Sequence, residues 1–176
     1  MKKILAFAGS TSSTSINKKL VTYTVQNLKN TTYDIIDLRD LELPIYSADK
    51  EKEDGFPKDV TGFTNLLDNY DGFVLSLAEH NGSYAAAFKN IFDWSSRINT
   101  NVFRDKPLLL MAASPGGRGG KSVLEAAVSR FPRNGAGEIV TFSIPNFSNN
   151  FKSGELIEED LKKQLFDAIQ EFEKLI

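Results

Sequence analysis

The chain has no cysteine, one histidine and one tryptophan in its 176 residues. Without cysteine there is no disulfide, no thiol nucleophile and no cysteine–metal site, although nothing follows about compartment. The single histidine, His80, rules out a multi-histidine metal centre and leaves one candidate base for a Ser-His-Asp hydrolase. No metal ligands are assigned. An excess of either charge is also missing: 21 Lys and Arg stand against 23 Asp and Glu, a net charge of −2. That balance gives no bias towards nucleic acid or acidic membranes. No apolar run approaches the roughly 20 residues that a bilayer span needs. The opening apolar stretch, Ile4–Ala8 behind Lys2 and Lys3, is shorter than the ~7–15 residues of a signal-peptide core. It reads as a first strand, and the expected protein is cytoplasmic, with neither membrane nor nucleic acid as partner.

What is present is ordinary for a globular chain: 41% hydrophobic and 25% charged residues. The length suits one domain, 1–176, with a sizeable core. Strand and helix signals alternate. Strands are expected at Lys3–Ala8, Tyr33–Leu38, Gly72–Leu77, Pro107–Ala113 and Glu138–Ser143. Helices are expected at Ser15–Leu28, Pro57–Leu67, from Tyr84 to about Arg97, at Ser122–Phe131 and at the C-terminus, where Ile157, Leu161, Leu165, Ile169, Phe172 and Ile176 form one stripe. Arg39–Gly55 reads as a long polar loop, and Asn146–Gly154 as the most linker-like stretch. The run Leu108–Met111 is continuously apolar, as expected of a strand covered on both faces. Strands alternating with helices imply an α/β fold: a doubly wound, five-stranded parallel sheet of order 2-1-3-4-5, with helices on both faces.

Three loops then follow strands one, three and four at their carboxyl ends, where open α/β sheets bind ligands. In the first, Gly9–Asn17, six of nine residues carry hydroxyls. Such a loop opening a helix supplies side-chain donors, free N–H groups and the positive end of the helix dipole to an anion. The plain alternative is a Ser/Thr-rich turn with an N-cap. In the second, Glu79, His80, Asn81, Gly82 and Ser83 interrupt an apolar strand, and a helical period resumes at Ala87, Phe88, Ile91, Phe92 and Trp94. A hydrolase built on Ser83 and His80 is disfavoured, because the two stand too close for a nucleophile elbow. In the third, Ser114–Ser122, a P-loop fails: Pro115 holds the first glycine position, and Gly116 to Gly120 leaves one residue too few. A dinucleotide fingerprint with its ribose-binding acid is also absent.

The second loop and its helix resemble the P-E-Y-N-G-S…L-K-N-A-x-D-W signature of the NAD(P)H-dependent FMN reductase family, whose fold is flavodoxin-like. The matching residues are Glu79, Asn81, Gly82, Ser83, Lys89, Asn90, Asp93 and Trp94. Ala78 stands where the family has proline, and His80 where it usually has a tyrosine packed beside the flavin. The first loop is similar to the family's G-S-x-R-x-x-S-x-N phosphate loop at Gly9, Ser10, Ser15 and Asn17. Ser12 replaces the arginine that normally pairs with the FMN phosphate, a change costing on the order of 1.5–3 kcal/mol unless Lys18, Lys19 or Arg118 supplies the charge. Lys106, Pro107, Ser114, Gly116, Gly117, Gly119 and Gly120 match the family's third-loop segment. Leu43, Pro44, Tyr46 and Asp49 resemble its L-P-x-[YF]-x-x-D stretch, which either reaches a partner subunit's active site or lies on the surface.

The resemblance implies an FMN-dependent NAD(P)H oxidoreductase that passes reducing equivalents to a small acceptor such as a flavin, quinone, azo or nitro compound. It implies FMN as cofactor, NADPH or NADH as co-substrate, and a homodimer or homotetramer. The phosphate would lie on Gly9, Ser10, Ser12, Ser15, Ile16 and Asn17. The ring would lie on Ala78, Glu79, His80, Asn81 and Gly82, and on Ser114, Gly116 and Gly117. Asn81 has the strongest side-chain case, since an amide matches the donor–acceptor edge of the flavin pyrimidine. Glu79 could orient the loop; no catalytic residue is assigned, although His80, which as a lone loop histidine more often serves hydrogen bonding or packing, could donate a proton to a quinone or nitro oxygen. Two alternatives remain open: a non-enzymatic flavin-binding carrier or redox sensor, and a family member that has lost FMN. Phe88, Phe92 and Trp94 suit either a subunit interface or the sheet core, and Arg97 and Arg104 read as surface residues.

Overall fold

The computed structural model describes all 176 residues. Five strands, β1 (Lys2–Gly9), β2 (Thr31–Ile35), β3 (Gly72–Leu77), β6 (Lys106–Ala113) and β7 (Ala136–Ile144), form one sheet of order β2-β1-β3-β6-β7. Two small hairpins, β4–β5 (Glu79–His80, Ser83–Tyr84) and β8–β9 (Phe151–Lys152, Glu155–Leu156), stand apart from it. All pairings within the large sheet are parallel. The helices are α1 (Ile16–Gln26), α2 (Ala48–Asp54), α3 (Lys58–Leu66), α4 (Ala86–Ile98), α5 (Lys121–Arg130), α6 (Phe147–Asn150) and α7 (Glu159–Leu175). The order is the flavodoxin-like one expected from the alternation of elements.

The two-residue period of the strands divides the core. Leu5 and Phe7, Phe73, Leu75 and Leu77, and Leu108 and Leu110 face one layer, closed by Val60 and Phe63 of α3, Phe88, Ile91 and Trp94 of α4 and Val123 of α5. Ile4 and Ala6, Val74, Leu109 and Met111 face the other, closed by Leu20, Val21 and Val25 of α1 and Leu165, Ile169 and Phe172 of α7. Both faces are covered, which is why the central strands carry nearly continuous apolar runs. Each fully buried Leu or Phe contributes about 1.5–3 kcal/mol. Phe92 and Trp94 belong to this core.

Several expectations are corrected. The Arg39–Gly55 stretch is not one loop: it contains α2, capped by the Ser47 hydroxyl accepting from the Lys50 N–H at 3.2 Å. That helix buries no residue, so no apolar stripe announces it. Strand two lies slightly earlier than Tyr33–Leu38. The stretch Asn146–Gly154 is no linker. It forms α6 and the start of the β8–β9 hairpin, seated by the buried rings of Phe147 and Phe151, which stack at 4.8 Å. Ile157 precedes α7 and is exposed, so the C-terminal stripe begins later. Arg104 is not a surface residue: its side chain is 11% exposed, and its guanidinium donates to the carbonyls of Thr64, Asn101 and Val102 and to Asp68. Arg97 does lie at the surface, paired with Glu51 at 2.9 Å.

Candidate functional site

The parallel register brings the carboxyl ends of four strands to one level: Gly9 pairs with Leu77, Leu77 with Ala112, and Ala112 with Ser143. The loops after β1, β3 and β6 leave the sheet side by side. Thr11–Thr14, His80–Ser83 and Pro115–Arg118 are exposed there.

The first loop is structured by its own hydroxyls. Ser10 Oγ accepts from the Ser12 N–H at 3.2 Å, Ser12 Oγ accepts from the Thr14 N–H at 3.3 Å, and Ser15 Oγ accepts from the Lys18 N–H at 3.1 Å, capping α1. The N–H groups of Ile16 and Asn17, the first two residues of the helix, are left without a protein acceptor. The Asn17 side chain faces the other way. It is buried, and its Oδ1 accepts from Ser76 Oγ at 2.7 Å and from the Ala113 N–H at 2.9 Å. Its amide therefore ties α1 to β3 and β6, and only its backbone N–H faces the loop. Of the cations considered for this loop, Lys18 pairs with Asp37, and Arg118 donates to Ser122 Oγ at 2.9 Å. The Arg39 fork on Asp37, with Lys18 beside it, holds that carboxyl far below the usual range. Lys19 is exposed on α1.

The second loop is a hairpin. Asn81 and Gly82, with φ of 52° and 74°, are its two-residue turn, and His80 pairs with Ser83. Both turn residues need positive φ, which Asn-Gly supplies. Glu79 Oε2 accepts from the Val123 N–H at 3.0 Å, in the first turn of α5. Gly120 caps that helix with no side chain, so the carboxylate takes the place of a cap and complements the helix dipole. The Tyr84 ring stacks on Phe131 at 6.1 Å and lies 5.6 Å from Phe88. Its hydroxyl is buried without a partner, and burial pushes the phenol's pKa up, with Arg130 pulling against it. His80 is exposed at the hairpin edge.

In the third loop the glycines divide by role. A Cβ on Gly119 would sit 2.2 Å from Ser143 Oγ, and one on Gly120 2.7 Å from Ala112 Cβ, so packing requires both. A Cβ on Gly116 or Gly82 would meet nothing within 4 Å, and on Gly117 nothing nearer than Asn146 at 3.9 Å. These three leave bare backbone facing open space. Ser114 Oγ donates to the Gly116 carbonyl at 2.9 Å, and Asn146 N–H donates to the same oxygen at 3.0 Å, fixing the loop.

The two motif halves on α4 and on the Leu43–Tyr46 stretch prove to be partners. Asn90 Nδ2 and Trp94 Nε1 both donate to the Pro44 carbonyl, at 3.0 and 2.9 Å, and Asn90 Oδ1 accepts from the Tyr46 N–H at 2.9 Å. The Tyr46 ring meets Trp94 edge-on at 5.0 Å, and its hydroxyl donates to Glu51 at 3.0 Å. This leaves Ile45 82% exposed, with Phe56 half-exposed nearby against Trp94. Sequence spacing gives no signal for these bonds, since their partners lie 46 and 50 residues apart. A groove of about 780 Å³ lies beside the three loops without covering them. It meets only Ser13–Ile16 of the first and runs down α1.

The donor set fits a flat ring that carries a phosphate: free N–H groups and hydroxyls at the start of α1, and bare glycine backbone on two flanking loops. Residues 2–149 match the model of the NADPH-dependent FMN reductase family. Over 79 residues the chain is 35% identical to a quinone reductase of Escherichia coli, covering 45% of this chain and 42% of that protein. It is 30% identical over 125 residues to a probable NADPH:quinone oxidoreductase of Oryza sativa, covering 69% of this chain and 60% of that one. The chain thus spans less than two thirds of the length of these relatives. Among solved structures it is similar in fold to the flavoenzyme NAD(P)H:(acceptor) oxidoreductase FerB of Paracoccus denitrificans, with a TM-score of 0.76 and 22% identity over 99% of this chain and 97% of that one.

Proposed function

The chain belongs to the NADPH-dependent FMN reductase family, and from that premise we propose that it is an FMN-dependent oxidoreductase that takes reducing equivalents from NADPH or NADH and delivers them to a small acceptor of the quinone type. The observation that carries the reading is the convergence of three motif loops at one level of the sheet, with free N–H donors on one and bare glycine backbone on the other two.

In this reading the N–H groups of Ile16 and Asn17 and the hydroxyls of Ser10 and Ser12 hold the FMN phosphate. Neutral donors at a helix N-terminus do so without a cation. Asn81, with Gly82, Gly116 and Gly117, positions the ring. Asn17, Glu79 and Tyr84 act one step behind: they lock α1, the hairpin and α5 to the sheet, so that the ring contacts are set before binding. Held by these residues, FMN would supply the redox chemistry, hydride uptake from the nicotinamide and electron delivery to the acceptor. In this reading His80, exposed on the hairpin edge, is the candidate proton donor to a reduced quinone oxygen. We treat 1–176 as one flavodoxin-like unit acting in the cytoplasm. It would pair with a second copy through the exposed Ile45–Phe56 surface beside α4. No helix is long and apolar enough to cross a membrane.

The test is a visible spectrum of the purified protein before and after addition of FMN and removal of the excess. Retained flavin bands that bleach on anaerobic addition of NADPH are expected. A protein that stays colourless and fails to quench FMN fluorescence would overturn the reading. A flavin that is retained but not reduced by either nicotinamide would point to a carrier instead.

A further inference from the structure

The groove beside the candidate site has a composition of its own. One wall is the cap and a stripe of α1, where Ser15 and then Lys19, Thr22, Tyr23 and Gln26 recur at helical spacing. The other wall is α6 and the second hairpin. Its floor is aromatic: the buried rings of Phe147 and Phe151 stack on each other at 4.8 Å, and Tyr23, edge-on to Phe151 at 5.6 Å, is the partly exposed ring above them. Its rim carries the exposed hydroxyls of Ser13, Thr14, Ser148 and Ser153. At about 780 Å³ it lies within the usual range of small-molecule sites, ~300–1,000 Å³.

The two adjacent lysines are not equivalent. Lys18 is turned to Asp37. Lys19 has no carboxylate partner among the ion pairs of the molecule, so its charge is free to face the groove. A second groove, about 510 Å³ between α7 and the edge strand β7, has no cation in its lining and carries Glu171 and Asp167, the latter paired with Lys163. An aromatic floor, hydroxyl donors and one unpaired ammonium are what a nucleotide requires for base, ribose and phosphate respectively.

We propose that this groove receives the adenosine-phosphate end of the nicotinamide donor, with Lys19 pairing with the 2′-phosphate that distinguishes NADPH from NADH. The assignment rests on the reductase reading, because it places the donor's far end beside the loop that holds FMN. It adds a preference for NADPH and names the residue that sets it.

The experiment is a calorimetric titration of the purified protein with adenosine 2′,5′-bisphosphate, with 5′-AMP as the comparison ligand, followed by amide shifts in a ¹⁵N-labelled sample. The bisphosphate should bind more tightly than 5′-AMP and move the amides of Lys19, Tyr23, Ser148 and Ser153. Lys19→Ala should weaken bisphosphate binding about tenfold, the effect of one charge-assisted contact at an exposed position, and Lys19→Arg should restore it. In turnover, the alanine variant should raise KM for NADPH by a similar factor, with kcat and the KM for NADH unchanged. Shifts confined to other residues, or indifference of the bisphosphate to Lys19→Ala, would overturn the proposal. Weakened bisphosphate binding with an unchanged KM for NADPH would also overturn it, by making the groove a nucleotide site unrelated to the donor. The calorimetry needs neither flavin nor turnover, so a failure to bind FMN would sink the reductase reading without obscuring this result.

Discussion

Two hairpins in this molecule turn in the same way and do different work. Asn81-Gly82 and Ser153-Gly154 are both two-residue turns with positive φ at each position. The first hangs from the central strand β3 and is held from both sides, by Glu79 on the start of α5 and by Tyr84 against Phe131. The second follows the edge strand β7 and is seated by its own Phe151 and Leu156, with Phe147 and Tyr23 against the Phe151 ring. The first therefore presents its turn at the level where three loops meet, while the second forms the outer wall of a groove. Turn chemistry sets the bend, and the strand from which the hairpin hangs decides whether the bend becomes part of a site.

The largest effect should separate the two on stability. Phe151→Ala removes a buried ring that stacks on Phe147 and meets Tyr23, and should cost about 3 kcal/mol in chemical denaturation. FMN retention should survive, because no hydrogen bond ties the second hairpin to the three loops. An FMN affinity that falls in proportion to stability would show that the hairpins are not separable. Glu79→Ala comes next, at about 1–2 kcal/mol, the usual loss of a helix cap. Here FMN affinity should fall as well, since α5 and the first hairpin lose their shared tie. Glu79→Gln keeps an acceptor for the Val123 N–H and should recover most of both losses. Full loss in the glutamine variant would assign the effect to charge alone.

The parts that were legible in the sequence are those where one local pattern decides the outcome. β3 and β6 lie at the sheet centre, and their apolar runs, broken in β3 only by the buried Ser76, follow from burial on both faces. The strand order and the positions of the three loops then follow from alternation and handedness. α2 was missed because it buries nothing, so its sequence carries no stripe. The first hairpin was missed as a hairpin although Asn-Gly is its strongest signal, because strands of two residues are too short to show an alternating period. At the site, hydroxyl content and glycine spacing located the loops but not the direction in which side chains point. Asn17 reads as a phosphate ligand, yet its amide lies inside the fold, bonded to a backbone group 96 residues away. The Asn90 and Trp94 bonds to Pro44 are non-local in the same sense.

A matched pair of substitutions sharpens the comparison at smaller cost. Gly82→Ala and Gly154→Ala each put a Cβ on left-handed backbone with nothing within 4 Å, so each should cost about 1–2 kcal/mol through conformation alone. Stability cannot tell them apart, whereas FMN titration should: affinity should fall for Gly82→Ala and stay level for Gly154→Ala. Equal responses would remove the first hairpin from the ring site.

The smallest change isolates the anchor of the first hairpin. Tyr84→Phe keeps the ring between Phe88 and Phe131 and deletes a buried hydroxyl that bonds to nothing. Removing an unsatisfied polar atom while preserving shape should be neutral or stabilising, by at most about 1 kcal/mol at neutral pH. The difference should widen in alkali. Burial raises the phenol's pKa above its ordinary value near 10, so the folded wild type keeps its proton where the unfolded chain loses it. Wild-type stability from this group is thus intact below pH 10 and declines above it, and the phenylalanine variant lacks that decline. Tyr70, pushed up to about 12 by burial and its bond to Asp34, contributes the same alkaline loss to both proteins and cancels in the comparison. Denaturation midpoints of the two proteins at pH 7 and pH 11 are the measurement. A variant less stable than wild type at pH 7 would mean that the hydroxyl has a partner, such as an ordered water, and that the hairpin is held by a hydrogen bond as well as by its ring.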